Sequence, residues 1–196
     1  MPTPSHSPKH DRHRKLVAVC ALWLLAMFNA NHAVATPPKG TEYKLKAALI
    51  YKLTKFIEWP ATATPTSRHF TLCVLGDDPF GNALDALTNR KVNNLPIRIE
   101  RFSQSKALSS ACRLIFISES KQAFVESILQ PLAHAPVLTV GDMTSFAARG
   151  GMIQMASKGN HIRFKINLSA TDLAGLKIAA PLLDLATIVK QKDDRQ

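Results

Sequence analysis

Four acidic residues follow predicted strands in this sequence, at positions where a parallel sheet would build a metal site. Asp77 and Asp78 come directly after one apolar run, and Glu119 and Asp142 follow two later ones. Since the carboxyl ends of parallel strands meet at one edge of a sheet, these carboxylates would lie close together and could hold Mg²⁺, as in a phospho-acceptor domain. A simpler interpretation is that Asp77 or Asp78 caps a helix, which is the commoner role of aspartate at such a position.

A second group of polar residues alternates with apolar ones near the C-terminus. His161, Arg163, Lys165 and Asn167 would project from one face of a strand, about 7 Å apart. Such a face is commonly just solvated. The alternative is a recognition surface for an acidic partner or ligand. For this alternative we predict partner contact through Arg163, Lys165 and Asn167, with Trp59 as an aromatic anchor. Trp59 fits the core equally well.

The sequence motifs of the common enzyme classes are missing from the chain. Gly76 and Gly81 are too far apart for a dinucleotide-binding G-x-G-x-x-G loop, and there is neither a G-x-S-x-G elbow nor a P-loop. His69, His134 and His161 lie in different segments, and no Cys or His spacing resembles a zinc site. We therefore predict a binding protein that has no catalytic activity, no cofactor and no metal.

Apolar runs alternate with helical patterns along most of the chain, which predicts an α/β fold. The predicted strands are Phe70–Leu75, Leu95–Phe102, Cys112–Ser118 and Val137–Val140, followed by an antiparallel hairpin of residues 152–156 and 161–168. The predicted helices are Glu42–Trp59, Pro79–Leu87, Gln104–Ser109, Lys121–Leu132, Thr171–Gly175 and Pro181–Lys190. We expect a three-layer sandwich, with a largely parallel central sheet flanked by helices and a C-terminal antiparallel hairpin.

The first and fourth of these helices have apolar residues at three- and four-residue spacing, which predicts their buried faces. The predicted buried residues are Leu45, Ala48, Leu49, Leu53, Phe56 and Ile57 in the first helix and Phe124, Ile128, Leu129 and Leu132 in Lys121–Leu132. Four lysines (Lys44, Lys46, Lys52 and Lys55) cover much of the rest of the first helix. They would either lie in water or form a basic face for a membrane or a receptor.

The N-terminal segment has the pattern of a secretory signal peptide. A basic region precedes the 13-residue apolar stretch Leu16–Phe28, and Ala33-Val34-Ala35 provides a cleavage site. A membrane anchor is the alternative, but spanning a bilayer takes about 20 apolar residues. We therefore predict that residues 1–35 are a cleaved signal peptide, that residues 36–196 form a single domain, and that the protein is periplasmic.

Export restricts the remaining interpretations of charge and cysteines. Residues 36–196 contain 21 Lys and Arg against 13 Asp and Glu, but the positive charge is dispersed and no nucleic-acid partner is expected. In an oxidising compartment the two remaining cysteines, Cys73 and Cys112, favour a disulfide, with two free buried thiols as the alternative. The same compartment offers no ATP, which weighs against a phospho-acceptor site.

Five blocks, in order, resemble the YfiR-like family of periplasmic proteins between about Glu42 and Leu185. The blocks are EYKLKAALIYKLTKFIEWP, TLCVLGDDPFGNAL, CRLIFIS, VLTVGDMTSFAARGGMI and NHIRFKINLSATDLAGLKI. The resemblance implies an α/β sandwich in the periplasm, often a homodimer. It also implies that Cys73 and Cys112 are the family's structural cysteine pair. Some relatives carry another cysteine pair near the position of Gly150-Gly151-Met152; this chain lacks it, which weighs against redox switching.

The same resemblance implies a function in cyclic-di-GMP signalling and biofilm control. The best-known family activity is negative regulation of an inner-membrane diguanylate cyclase through its periplasmic sensor region, and an outer-membrane lipoprotein can sequester the repressor. We therefore expect a regulator that acts by protein–protein contact. A periplasmic receptor that passes a small ligand's signal to a sensor kinase or transporter is the alternative.

Overall fold

An eight-stranded mixed sheet is the centre of the computed structural model, which describes residues 39–61, 68–107, 112–159 and 161–189. Its strands are β2 (Phe70–Leu75), β3 (Lys91–Val92), β4 (Leu95–Phe102), β5 (Cys112–Ile117), β6 (Leu138–Gly141), β7 (Ile153–Lys158), β8 (His161–Asn167) and β10 (Ala186–Val189). Two further strands, β1 (Ile57–Glu58) and β9 (Lys177–Ile178), pair with each other in a separate antiparallel sheet. The helices are α1 (Lys39–Leu53), α2 (Val125–Leu129), α3 (Leu168–Leu173) and α4 (Ala180–Leu183). The predicted signal peptide, residues 1–35, lies outside the described residues.

The strand order is β10-β8-β7-β6-β5-β2-β4-β3. The strands from β4 to β7 in this order run parallel, β8 returns antiparallel to β7, and β10 lies parallel to β8. The predicted largely parallel sheet with a C-terminal hairpin is thereby confirmed. Most residues of β2 and β5 are apolar and buried, as expected where the sheet is covered on both faces.

The strand registers assign side chains to the two faces of the sheet. The α1 face includes the aligned residues Val74, Phe116, Val140, Ile153 and Ile166, which belong to one cluster with the buried residues of α1. The disulfide face includes Cys73, Leu75, Ile115, Ile117, Thr139, Gly141, Gln154 and Lys165. Four of these, those in β2 and β5, pack with α2 and with Met143 and Phe146 in a second cluster. Helical segments therefore flank the sheet on both sides.

Helix α1 is rotated relative to the prediction. Its buried residues are Lys46, Ala47, Ile50 and Leu53, whereas the predicted core residue Leu45 is 44% exposed. The helix carries apolar residues of its own on nearly all sides, so their spacing does not determine which side faces the sheet. The rotation follows instead from an ion pair of Lys46 that is described below.

Three predicted helices are shorter or tighter than expected. Residues 79–87 form two 3₁₀ turns, Gly81–Ala83 and Asp85–Leu87, and the predicted helix at 104–109 is the 3₁₀ turn Ser105–Ala107. The predicted helix Lys121–Leu132 begins instead as a 3₁₀ segment, Glu119–Phe124, which leads into α2. Because a 3₁₀ segment has three residues per turn, the phase of the apolar face changes, and Phe124 is 63% exposed rather than buried.

The predicted C-terminal helix Pro181–Lys190 is wrong over most of its length. The observed helix, α4, ends at Leu183. The chain then forms β10, which pairs with β8 from Ala186 to Val189. Threonine, isoleucine and valine in β10 favour extended backbone, and β8 supplies hydrogen-bonding partners for it. The helix predicted at 171–175 lies earlier, as α3.

The ring of Phe146 lies against two glycines, Gly141 and Gly151. A Cβ atom at either glycine would overlap the buried ring, closer than van der Waals contact allows. We expect Gly151→Ala to lower the free energy of unfolding by about 1–3 kcal/mol, because the extra methyl overpacks a closed site. Urea unfolding measures this change.

Gly40→Ala provides the matched control. Nothing lies within 4 Å of a Cβ atom at Gly40, which is in α1. Alanine has a higher helix propensity than glycine, so this variant should keep the wild-type stability or gain up to about 1 kcal/mol. Equal destabilisation by both substitutions would show that contact with Phe146 is not the reason.

Candidate functional site

The four acidic residues predicted to share a site lie after β2, β5 and β6, but two of them, Asp78 and Asp142, form ion pairs with different residues. Asp78 Oδ1 accepts a hydrogen bond from the backbone N–H of Phe80 at 2.8 Å. Asp78 Oδ2 accepts one from Arg101 Nε at 2.6 Å, and Arg101 also binds Asp85. The hydrogen bond to Asp78 raises the pKa of Arg101. Asp78 therefore holds the turn after β2 against β4.

Asp142 points to α1 rather than to the other carboxylates. Its Oδ2 accepts hydrogen bonds from Tyr43 Oη at 2.8 Å and from Lys46 Nζ at 2.6 Å. Lys46, which is 3% exposed, also forms an ion pair with Glu42 at 2.6 Å. The expectation that all the lysines of this helix lie in water is thus wrong for Lys46. Burial and the hydrogen bond to Asp142 raise the pKa of Tyr43.

Asp77 and Glu119 are exposed at the same end of the sheet, beside a cavity of about 310 Å³. Among the described residues, no group of three or more His, Cys, Asp or Glu side chains is arranged to hold a metal ion. With Asp78 and Asp142 engaged in structural ion pairs, the arrangement does not assemble the clustered carboxylates that Mg²⁺ binding requires.

The polar face predicted in the hairpin exists for three of its four residues. His161, Arg163 and Lys165 are exposed on β8, with Lys158 opposite His161 on β7. We call Lys158, His161, Arg163 and Lys165 together the basic face. They lie on the disulfide face of the sheet. In the described part of the chain, no acidic side chain forms an ion pair with Arg163 or Lys165. Their charges are therefore available to a partner.

Asn167 is not part of the basic face, and its predicted exposure is wrong. It is 0% exposed. Its Oδ1 accepts a hydrogen bond from the N–H of Ala170 at 3.0 Å, which caps α3, and its Nδ2 donates to the carbonyl of Ala147 at 2.9 Å. Strict alternation along β8 places this residue with Lys165, but the strand ends there and the side chain turns to the helix.

Trp59 lies away from the basic face. Its ring packs edge-on against Phe70, with the centroids 5.4 Å apart, and Phe70 belongs to the cluster on the α1 face. Trp59 is half-buried, and its Nε1 is buried without an acceptor among the described residues. The structure therefore does not bring Trp59 together with Arg163 and Lys165. It favours the core interpretation of this residue.

A disulfide joins Cys73 in β2 to Cys112 in β5 and confirms the predicted pairing. Both cysteines are buried, and together with α2 they form part of the core on the disulfide face. The bond thereby links two neighbouring parallel strands at the centre of the sheet. Among the described residues, no helix has both the length and the apolar content needed to cross a membrane.

Comparisons with known proteins match both the sequence and the fold. A family model described as YfiR/HmsC-like matches residues 43–187, more than half of the chain. A conserved domain protein from Vibrio cholerae O1 biovar El Tor strain N16961 has a similar fold, with a TM-score of 0.53 at 14% identity over 76% of this chain and 60% of that chain.

A weaker match is the ABC domain of a Streptococcus pneumoniae protein, whose structure was solved in complex with L-Trp. Its TM-score is 0.46 at 11% identity, over 75% of this chain and 60% of that chain. The chain thus spans about 60% of the length of both solved chains. At 14% identity the likeness to the Vibrio cholerae protein concerns the fold alone.

Proposed function

The chain belongs to the YfiR/HmsC-like family, and from that premise we propose that it represses an inner-membrane diguanylate cyclase by direct contact in the periplasm. Membership supports, at the level of the family, a periplasmic regulator of diguanylate cyclase. The finer proposal is that the mature protein binds the periplasmic sensor region of the cyclase and lowers its output of cyclic-di-GMP. Sequestration by an outer-membrane lipoprotein and homodimer formation belong to the same proposal.

The observation that carries the contact surface is the exposed, unpaired charge of the basic face. Arg163 and Lys165 are on a strand with neighbours on both sides, β7 and β10, so their backbone positions are held firmly. Positive side chains on such a support suit an acidic surface, since complementary charge steers association and fixes its register. We assign partner contact to Arg163 and Lys165, with His161 and Lys158 at the border. Trp59 is not assigned to this surface.

Charge reversal tests this assignment. We expect Arg163→Glu/Lys165→Glu to raise the dissociation constant for the cyclase's periplasmic region at least tenfold, because two attractive contacts become repulsive. Cells that carry the variant should contain more cyclic-di-GMP than cells with the wild type. Binding is measured with the purified mature protein, and cyclic-di-GMP by mass spectrometry of cell extracts.

Lys91→Glu/Arg98→Glu is the control for total charge. Both residues are exposed on β3 and β4, at the opposite end of the strand order, and the substitution changes the net charge equally. This control should bind as the wild type does. If the variant at Arg163 and Lys165 keeps full affinity while it remains folded, the basic face is not the contact surface.

A further inference from the structure

A cavity of about 610 Å³ opens on the disulfide face between α2, α3 and the start of β7. This volume is within the range of cavities that hold small molecules in proteins. Apolar side chains line much of it: Leu129, Leu132, Ala133, Met152, Ala170 and Leu173. Leu129, Met152 and Ala170 are buried, while Leu173 is exposed at the rim. The cavity thus has apolar walls and an apolar rim.

A hydrogen-bond donor lies in this apolar lining. Thr139 is 1% exposed and its Oγ1 accepts a hydrogen bond from the N–H of Met152 at 3.0 Å. A threonine hydroxyl can accept and donate at the same time. Among the described residues, its hydrogen has no acceptor. A bound molecule with an oxygen acceptor would satisfy it.

The charged residues of the cavity are already paired with each other. Both carboxylate oxygens of Glu126 accept hydrogen bonds from Arg149, through Nε and Nη2. A bound anion would lie near Glu126 and a bound cation near Arg149, so neither sign of charge is favoured. The remaining polar lining residues, among them Ser127, Gln130 and His134, are exposed. These features select an uncharged ligand.

We propose that this cavity binds an uncharged amphiphile: an apolar body of roughly eight to twelve carbons with one carbonyl acceptor, as in a medium-chain amide, ester or lactone. The carbonyl accepts from Thr139, and the apolar body covers Leu129, Met152 and Leu173. The site is separate from Arg163 and Lys165, so the proposal does not depend on partner binding at the basic face.

Three eight-carbon probes that differ in charge test the ligand class: octanamide, octanoate and octylammonium. We expect octanamide to raise the melting temperature of the oxidised mature protein by several degrees, because a ligand that binds only the folded state stabilises it. Octanoate and octylammonium should give smaller shifts. A preference for either charged probe, or no shift with octanamide, would overturn the proposal.

Two variants test the location. Ala133→Phe places a ring in the cavity and should abolish the octanamide shift, whereas Ala86→Phe, which adds the same ring to an exposed turn elsewhere, should retain it. Methyl NMR of the wild type provides a second measurement should Ala133→Phe fail to fold. Octanamide should perturb the signals of Leu129, Leu132 and Met152, and perturbations confined to other regions would contradict the proposed site.

Discussion

Replacing Lys46 by methionine should lower the free energy of unfolding by about 3–5 kcal/mol. Lys46 is buried, and its ammonium group lies 2.6 Å from both Glu42 and Asp142. Methionine fills most of the space but leaves Asp142 as a buried carboxylate without a cation. The penalty for that unpaired charge exceeds the worth of the ion pair itself. Urea unfolding at neutral pH, followed by circular dichroism, measures the loss.

Two further variants distinguish the ion pair from other effects of the substitution. Lys44→Met changes an exposed lysine of the same helix and should alter stability by less than about 0.5 kcal/mol. Asp142→Asn removes the carboxylate charge and keeps an acceptor for Tyr43. The double variant Lys46→Met/Asp142→Asn should therefore lose less stability than the two single variants added together. Additive losses would show that Lys46 and Asp142 do not act as a pair.

Loss of the disulfide is the second large effect that we expect. Cys73 and Cys112 are 39 residues apart, and closing a loop of this length stabilises the folded state by about 4 kcal/mol in the chain-entropy model. The double variant Cys73→Ala/Cys112→Ala should therefore unfold at a much lower urea concentration than the oxidised wild type. The reduced wild type should resemble the variant.

Because both cysteines are buried, their reactivity provides a second test of the structural role of the disulfide. Neither side chain is accessible in the folded protein, so a reductant and an alkylating reagent should modify them only after urea is added. Mass spectrometry counts the alkyl groups. Rapid modification without denaturant, or equal stability of the oxidised wild type and the double alanine variant, would contradict a structural role for the bond.

The sequence predicts the sheet better than the helices. The runs at β2, β4 and β5 are recognisable because strands that are buried or alternating in a sheet carry β-branched and aromatic residues in compact segments. The rotation of α1 is not recognisable, because it depends on the pairing of Lys46 with Asp142, which is 96 residues away along the chain. No local pattern contains that information.

The candidate site shows the same division. Arg163 and Lys165 are exposed as the alternation of β8 predicts, but Asn167 is buried because the alternation ends where α3 begins. A signal for this was present: asparagine is a preferred N-cap residue, and helix-compatible residues follow it. The cavity lined by Thr139 has no signal in the sequence, because its residues come from four separated segments with no shared motif.

Both outer strands of the sheet are short, with two residues in β3 and four in β10. Brief terminal strands offer few free backbone groups, and natural proteins use them to prevent sheets from adding foreign strands. Without β10, the seven-residue β8 would present such a template to other chains. Strand addition is therefore disfavoured at the margin that β10 covers. At the opposite margin β3 pairs only with Leu95 and Pro96 of β4, so the outer side of Ile97–Phe102 has no neighbouring strand among the described residues and is where a foreign strand could add.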